Sequence, residues 1–165
     1  MNYIFLLLDG GGSIRIPAAF CSLSGLKPTA GRVPHRGYSA TTNSVLGPLC
    51  HSVIDCAKIY AVIAGPDNQK ESEITLYQPK LKIPRSIPNN LAGIQIGIDQ
   101  KWNSALERPD LVAIFRKEVN KLEELGARIV PIAIPDLSYH HAAHALTFCT
   151  EIISIVRKHL ERQLY

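Results

Sequence analysis

Residues 9–17 read Asp-Gly-Gly-Gly-Ser-Ile-Arg-Ile-Pro. Three consecutive glycines, Gly10, Gly11 and Gly12, let the backbone take φ values and close approaches that a Cβ forbids. Ser13 follows at once. A run of bare backbone N–H groups ending in a hydroxyl suits acyl transfer, in which the hydroxyl attacks a carbonyl and neighbouring N–H groups receive the developing oxyanion. By itself the stretch also reads as an ordinary tight turn between a strand and a helix. A phosphate-binding loop fits less well, because the Lys-Ser/Thr ending of a P-loop and the spacing of a dinucleotide fingerprint are both missing.

Immediately upstream, residues 3–8 (Tyr-Ile-Phe-Leu-Leu-Leu) are apolar. They fall far short of the roughly 20 residues a membrane-spanning helix needs, and no basic segment precedes them as in a signal peptide. They read as a buried strand feeding the glycine turn, with a truncated signal segment as the lesser alternative, in a protein expected to be cytoplasmic with no membrane span. Downstream, Pro17–Cys21 suits a short helix, since proline is tolerated in a first helical turn. Residues 25–33 form a turn-rich connection, and residues 37–45 are polar and loop-like.

Gly47-Pro48 is read as the opening of a helix that runs to about Ala64 and is buried on most sides, with Leu49, Val53, Ala57, Tyr60 and Ala64 on one face. Gly65-Pro66-Asp67 stops it. Residues 67–91 carry four prolines and form a long irregular connection. Gly93–Asp99 alternates as a half-buried strand. Pro109–Leu125 is an amphipathic helix that aligns Leu111, Phe115, Val119, Leu122 and Leu125, and Gly126 suits the position after its C-cap. Arg128–Ile134 is a second strand. Ser138 is placed to cap a last helix whose apolar side holds Leu146, Cys149, Ile153, Val156 and Leu160. Strand, helix, strand, helix implies α/β packing.

The chain has 165 residues, 46% hydrophobic and 19% charged, with a net charge of +4. This is long enough for one domain with a real core. The basic residues are scattered, apart from Arg157, Lys158 and Arg162, with no Arg/Lys stripe interleaved with aromatics, so no nucleic-acid partner is expected. Cys21, Cys50, Cys56 and Cys149 lack CxxC spacing and read as buried free thiols.

Taken together, Asp9-Gly-Gly-Gly-Ser-Ile-Arg-Ile-Pro-Ala-Ala-Phe-Cys and the following Gly25-Leu-Lys-Pro-Thr-Ala-Gly-Arg-Val resemble the core of the amidase signature family. Gly47-Pro-Leu-Cys-His-Ser-Val-Ile-Asp, Leu91-Ala-Gly-Ile-Gln-Ile-Gly-Ile and Leu122-Glu-Glu-Leu-Gly-Ala-Arg-Ile-Val are similar to its later segments. The resemblance implies part of a mixed-sheet α/β/α fold with an incomplete sheet. It divides a single partial domain, residues 1–165, into a signature core (1–67), an irregular connection (68–91) and a strand-helix-strand-helix segment (92–165). It also implies hydrolysis of a small-molecule carboxylic amide. Substrates in the family range over fatty-acid amides, aromatic amides, C-terminal peptide amides and a glutamine that feeds tRNA-linked amidation.

By the same resemblance Ser13 is the nucleophile, Gly10, Gly11 and Gly12 with Ser13 supply oxyanion-hole amides, and Asp9 and Arg15 brace the loop. No cofactor and no metal are implied. The family also uses a cis serine and a lysine upstream of the nucleophile, yet only residues 1–12 precede Ser13 here. Leu7-Leu8 stand where the family has Gly-Thr, and Lys27 matches the Gly-Leu-Lys-Pro-Thr turn rather than the catalytic lysine. A serine hydroxyl alone is a weak nucleophile, so the expectation is a truncated chain with weak or no activity. The alternative is a non-catalytic fragment or pseudoenzyme, serving as a binding module or needing a partner chain. Exposed core faces in a partial fold predict self-association.

His140 and His144 lie four apart, with Glu151 two turns further along the same helix. They are read as polar residues near the helix start rather than as metal ligands. Trp102 is read as an anchor for the connection after the first strand of the second half.

Overall fold

The computed structural model describes residues 4–34, 41–65, 90–104 and 108–163. These form two compact units, one drawn from residues 1–83 and 142–165 and the other from residues 84–141.

The first unit is built on strands β1 (Phe5–Asp9), β2 (Ser24–Gly25) and β3 (Val45–Cys50), in the order β1-β3-β2 with both pairings antiparallel. Phe5 lies opposite Leu49 and Asp9 opposite Val45. Strand β1 enters the glycine turn as expected, but it is an edge strand. Phe5 and Leu6 are about half exposed, and burial is complete only at Asp9. Helix α1 (Arg15–Phe20) follows the turn, and helix α2 (Val53–Ile63) follows β3.

Gly47-Pro48 does not open a helix. It lies inside β3, the central strand, all six residues of which are buried. A short apolar run of this length fits a fully buried strand, and Pro48, which has no N–H to give the ladder, still offers its carbonyl, which accepts the Leu26 N–H at 3.0 Å. The helix begins only after Ser52, whose Oγ accepts the Asp55 N–H at 3.1 Å and bonds Asp55 Oδ2 at 2.7 Å. Ser-x-x-Asp is a helix-start signal in its own right. Nor is α2 buried on most sides: Cys56 is enclosed, whereas Val53, Ile54 and Val62 are exposed.

The second unit pairs β4 (Gln95–Ile98) with β5 (Arg128–Pro131) in parallel, Ile96 opposite Ile129. Helices α3 (Gln100–Ser104) and α4 (Pro109–Glu124) lie between them in sequence. The end of α4 shows why Gly126 is glycine. Its φ is +97°, and it donates to the Glu123 carbonyl while Ala127 donates to that of Leu122, a Schellman closure. The face of α4 read as apolar is only partly covered: Val119 and Leu122 are half-buried, and Leu111, Phe115 and Leu125 are exposed. Asp99, at the end of β4, accepts N–H groups from Trp102 at 3.0 Å and Ile134 at 2.7 Å. These amides lower its pKa despite burial, the Ile134 bond most strongly. The Trp102 ring meets that of His141 at 5.4 Å.

Helix α5 (Leu137–Gln163) starts one residue before Ser138. Asp136 (φ +51°) supplies the carbonyl that accepts the His140 N–H. The stripe read as its apolar side, Leu146, Cys149, Ile153, Val156 and Leu160, is exposed. The half-buried residues in the middle of the helix are instead Phe148, Glu151 and Ile155. Of the cysteines, Cys50 and Cys56 are buried free thiols as expected, whereas Cys21 and Cys149 are exposed. No described helix is long and apolar enough to cross a membrane. The connection read over residues 67–91 lies outside the described residues except for Asn90 and Leu91.

Candidate active site

The turn between β1 and α1 is organised around one carboxylate. Asp9 is fully enclosed. Its Oδ1 accepts the Gly12 N–H at 2.7 Å and Arg15 Nη2 at 2.9 Å. Its Oδ2 accepts the Ile14 N–H at 3.1 Å, Arg15 Nε at 3.0 Å and, more weakly, the Arg15 N–H at 3.4 Å. The guanidinium thus meets the carboxylate through two nitrogens, which fixes orientation as well as charge. Burial by itself would raise the Asp9 pKa. The Arg15 side-chain bond, the Ile14 and Gly12 amides and the Arg15 charge outweigh it and bring the pKa down to about 2. The same contact raises the pKa of Arg15.

This arrangement follows from local spacing. A glycine run has no side chains with which to hold itself, so the residues bounding it must do so. Gly12 has φ +125°, and a Cβ there would meet Ile16 Cδ1 at 2.7 Å. A Cβ on Gly10 would strike Phe148 Cε2 at 2.6 Å and Ser44 Oγ at 2.7 Å, whereas one on Gly11 would find nothing within 4 Å. Gly10 and Gly12 are buried, while Gly11 and Ser13 are exposed. The structure therefore brings Asp9, Gly12 and Arg15 together beneath the turn and leaves Gly11 and Ser13 on its open side. The Gly12 N–H is already given to Asp9, and none of the bonds to that carboxylate uses the amides of Gly10, Gly11 or Ser13.

Residues 41–44 back the turn. Thr41 and Ser44 are buried with their hydroxyls 2.7 Å apart. Thr42 donates its N–H and its hydroxyl to Glu151 at 2.9 and 2.7 Å. Sequence reasoning left Phe148, Ser44 and the Thr42–Glu151 contact out of the site, and no local pattern marks them. His144 stacks on Phe148 with ring centroids 5.8 Å apart. Among the described residues, no group of three or more His, Cys, Asp or Glu side chains is placed to hold a metal ion.

The fold and the turn define a mixed α/β protein with a glycine–serine turn braced by a buried carboxylate, set between an edge strand and a short helix. The chain belongs to the amidase family, whose model, described as Amidase, matches residues 8–164. It is 36% identical over 148 residues to the A subunit of glutamyl-tRNA(Gln) amidotransferase from Methanospirillum hungatei, covering 88% of this chain and 33% of that protein. It is 36% identical over 154 residues to the protein of the same name from Moorella thermoacetica, covering 92% of this chain and 31% of the other.

Among solved structures it resembles the A subunit of glutamyl-tRNA(Gln) amidotransferase from Thermotoga maritima, with a TM-score of 0.78 at 25% identity over 98% of this chain and 36% of that one. It also resembles the native peptide amidase of Stenotrophomonas maltophilia, with a TM-score of 0.69 at 28% identity over 86% of this chain and 29% of the other. The fold is thus part of the amidase signature α/β fold. The chain spans about a third of the length of the curated relatives it matches.

Proposed function

We propose that this chain carries the nucleophile-bearing part of an amide-cleaving site. Ser13 attacks the carbonyl carbon of a carboxylic amide, and the oxyanion is received by amides of the glycine loop. Because Gly12 gives its N–H to Asp9, the receiving donors are those of Gly10, Gly11 and Ser13, with Gly12 serving the brace instead. The observation that carries this reading is the exposed Ser13 beside the open face of Gly11, on a turn whose Gly12 and Ile14 amides are held by a buried carboxylate. Asp9 and Arg15 hold the loop before substrate arrives, so the donors need no reorganisation during reaction. Both units fall within the one family match, and we read residues 1–165 as part of a single amidase domain.

Among the described residues the Ser13 side chain makes no hydrogen bond to a basic group. A hydroxyl without a base is a poor nucleophile, so we propose that Ser13 reacts slowly unless a base reaches it from outside the described residues. A second reading is that this chain binds without catalysis or acts together with a partner chain. The relatives are named as the A subunit of an amidotransferase, which suits an assembly with other subunits and an amide whose nitrogen is passed on. The likeness to a peptide amidase keeps other small carboxylic amides within the substrate class.

The test is labelling of the purified chain with a fluorophosphonate probe. Labelling that is slow in the wild type and lost in Ser13→Ala supports the nucleophile. A folded chain that takes up no probe, or one that labels equally well as Ser13→Ala, rejects it.

A further inference from the structure

The turn that carries Ser13 is seated from outside by a helix far away in sequence. Helix α5 bonds to residue 42 through a single carboxylate: Glu151 Oε2 accepts the Thr42 N–H and Oε1 accepts the Thr42 hydroxyl. One turn before Glu151 on α5, the edge of the Phe148 ring lies where a Gly10 side chain would be, with Cε2 2.6 Å and Cδ2 3.3 Å from a Cβ built there. Ser44 Oγ lies 2.7 Å from the same built Cβ and is held by Thr41. One turn before Phe148, the His144 ring stacks on it with an interplanar angle of 23°. Gly10 is thus enclosed between an aromatic edge and a buried hydroxyl, while the next residue of the loop faces open space.

We infer that Phe148 and Glu151 are positioning residues for the glycine–serine loop. Glu151 clamps α5 to the 41–44 turn, and this seats the Phe148 ring against Gly10. Gly10 is the point at which β1 hands over to the loop, so a shift there carries the amides of Gly11 to Ser13 with it. The Asp9–Arg15 brace ties Gly12 and Ile14 to Asp9, the neighbour of Gly10, so it is internal to the turn and does not replace this contact with the rest of the fold. For its catalytic consequence the inference rests on Ser13 being the nucleophile, while the seating itself stands without that reading. A displacement on the order of 1 Å at a reacting centre can cost about 100-fold in rate.

Three variants test it, Phe148→Ala, Phe148→Leu and Glu151→Gln, with Leu160→Ala as a control on an exposed part of the same helix. The first readout is hydrogen exchange at the Gly12 and Ile14 amides, both protected by Asp9, compared with the amides of α2. Phe148→Ala is expected to speed the loop amides about tenfold while leaving α2 unchanged. Phe148→Leu restores most of the protection. Glu151→Gln, which keeps one acceptor oxygen instead of two, falls between them, and Leu160→Ala leaves the loop and α2 amides unchanged.

The second readout is the fluorophosphonate reaction at Ser13. The maximal labelling rate constant should fall by about 10- to 100-fold in Phe148→Ala, with the probe's half-saturating concentration little changed, and recover in Phe148→Leu. Unchanged loop exchange in Phe148→Ala, or α2 accelerated as much as the loop, overturns the seating. Faster loop exchange with an unaltered labelling rate overturns the positioning role. If wild-type Ser13 takes up no probe, the nucleophile reading falls, and the exchange comparison alone decides whether Phe148 seats the loop.

Discussion

Replacing Asp9 by asparagine should damage the turn in a way whose size and pH dependence both follow from the geometry. The wild-type carboxylate sits at about 2 rather than at the ordinary 3.8. At about 1.36 kcal/mol per pH unit, the full shift corresponds to roughly 2 kcal/mol. The Arg15 side chain is 57% exposed, so its share is screened, and about 1–2 kcal/mol is the better expectation. The folded-state pKa is depressed, so this stabilisation is present above about pH 4 and is lost as pH falls toward 2.

The Asp9→Asn variant carries a second cost, because the amide NH2 group must face one of the two donor sets that now meet an oxygen. Leaving a buried donor unpaired costs about 1–3 kcal/mol. At neutral pH the variant should therefore lose about 2–5 kcal/mol. Urea unfolding of dilute samples followed by circular dichroism, at neutral pH and at pH 2.5, measures both effects. The gap between wild type and variant should narrow at the lower pH as the wild-type carboxylate begins to protonate. A gap that stays constant from neutral pH to pH 2.5, or a variant as stable as the wild type at neutral pH, would refute the reasoning.

Other substitutions probe the elements around the loop. Gly12→Ala must hold φ +125° with a Cβ, and its clash falls on the tip of the exposed Ile16 side chain, which can swing aside. Backbone strain should then dominate at about 1–3 kcal/mol, read as a lower urea midpoint, with loss of Ser13 labelling. Ser52→Ala removes the cap of α2 and should cost about 1 kcal/mol. Faster hydrogen exchange confined to the first turn of α2 is the expected signature, and no change there would count against the cap. The exposed stripe of Leu146, Ile153 and Leu160 predicts self-association. Light scattering should show assemblies larger than the monomer that disperse when all three become Glu, and a monodisperse wild-type monomer would contradict this.

What could be read from the chain alone was what depends on near neighbours. Asp9 lies three residues from Gly12 and six from Arg15, so spacing is enough to propose a brace around the glycines, and the structure puts those groups within hydrogen-bond distance. Gly126 could be read as a helix terminator because the closing bonds reach back only to Leu122 and Glu123. The existence of α4 and β4 was legible because each carries a repeat of its own, and β5 because it opens a short apolar run. The Ser52–Asp55 cap is just as local and marks where α2 begins, after the apolar run of β3.

Only the tertiary structure decided the rest. Val45–Cys50 is a strand because β1 and β2 pair with it on both sides, and no sequence window contains those partners. The apolar stripes of α4 and α5 show that each helix has two faces, but not which face is covered, because burial depends on what packs against it. On α5 the side that covers the loop is marked by Phe148 and Glu151, not by the stripe of Leu146, Ile153 and Leu160. The sequence by itself determined a glycine–serine turn and the carboxylate that could hold it. The fold determined that Gly10 is closed off by Phe148 and Ser44 while Gly11 and Ser13 stay open, because contacts between distant segments form only once the chain has folded.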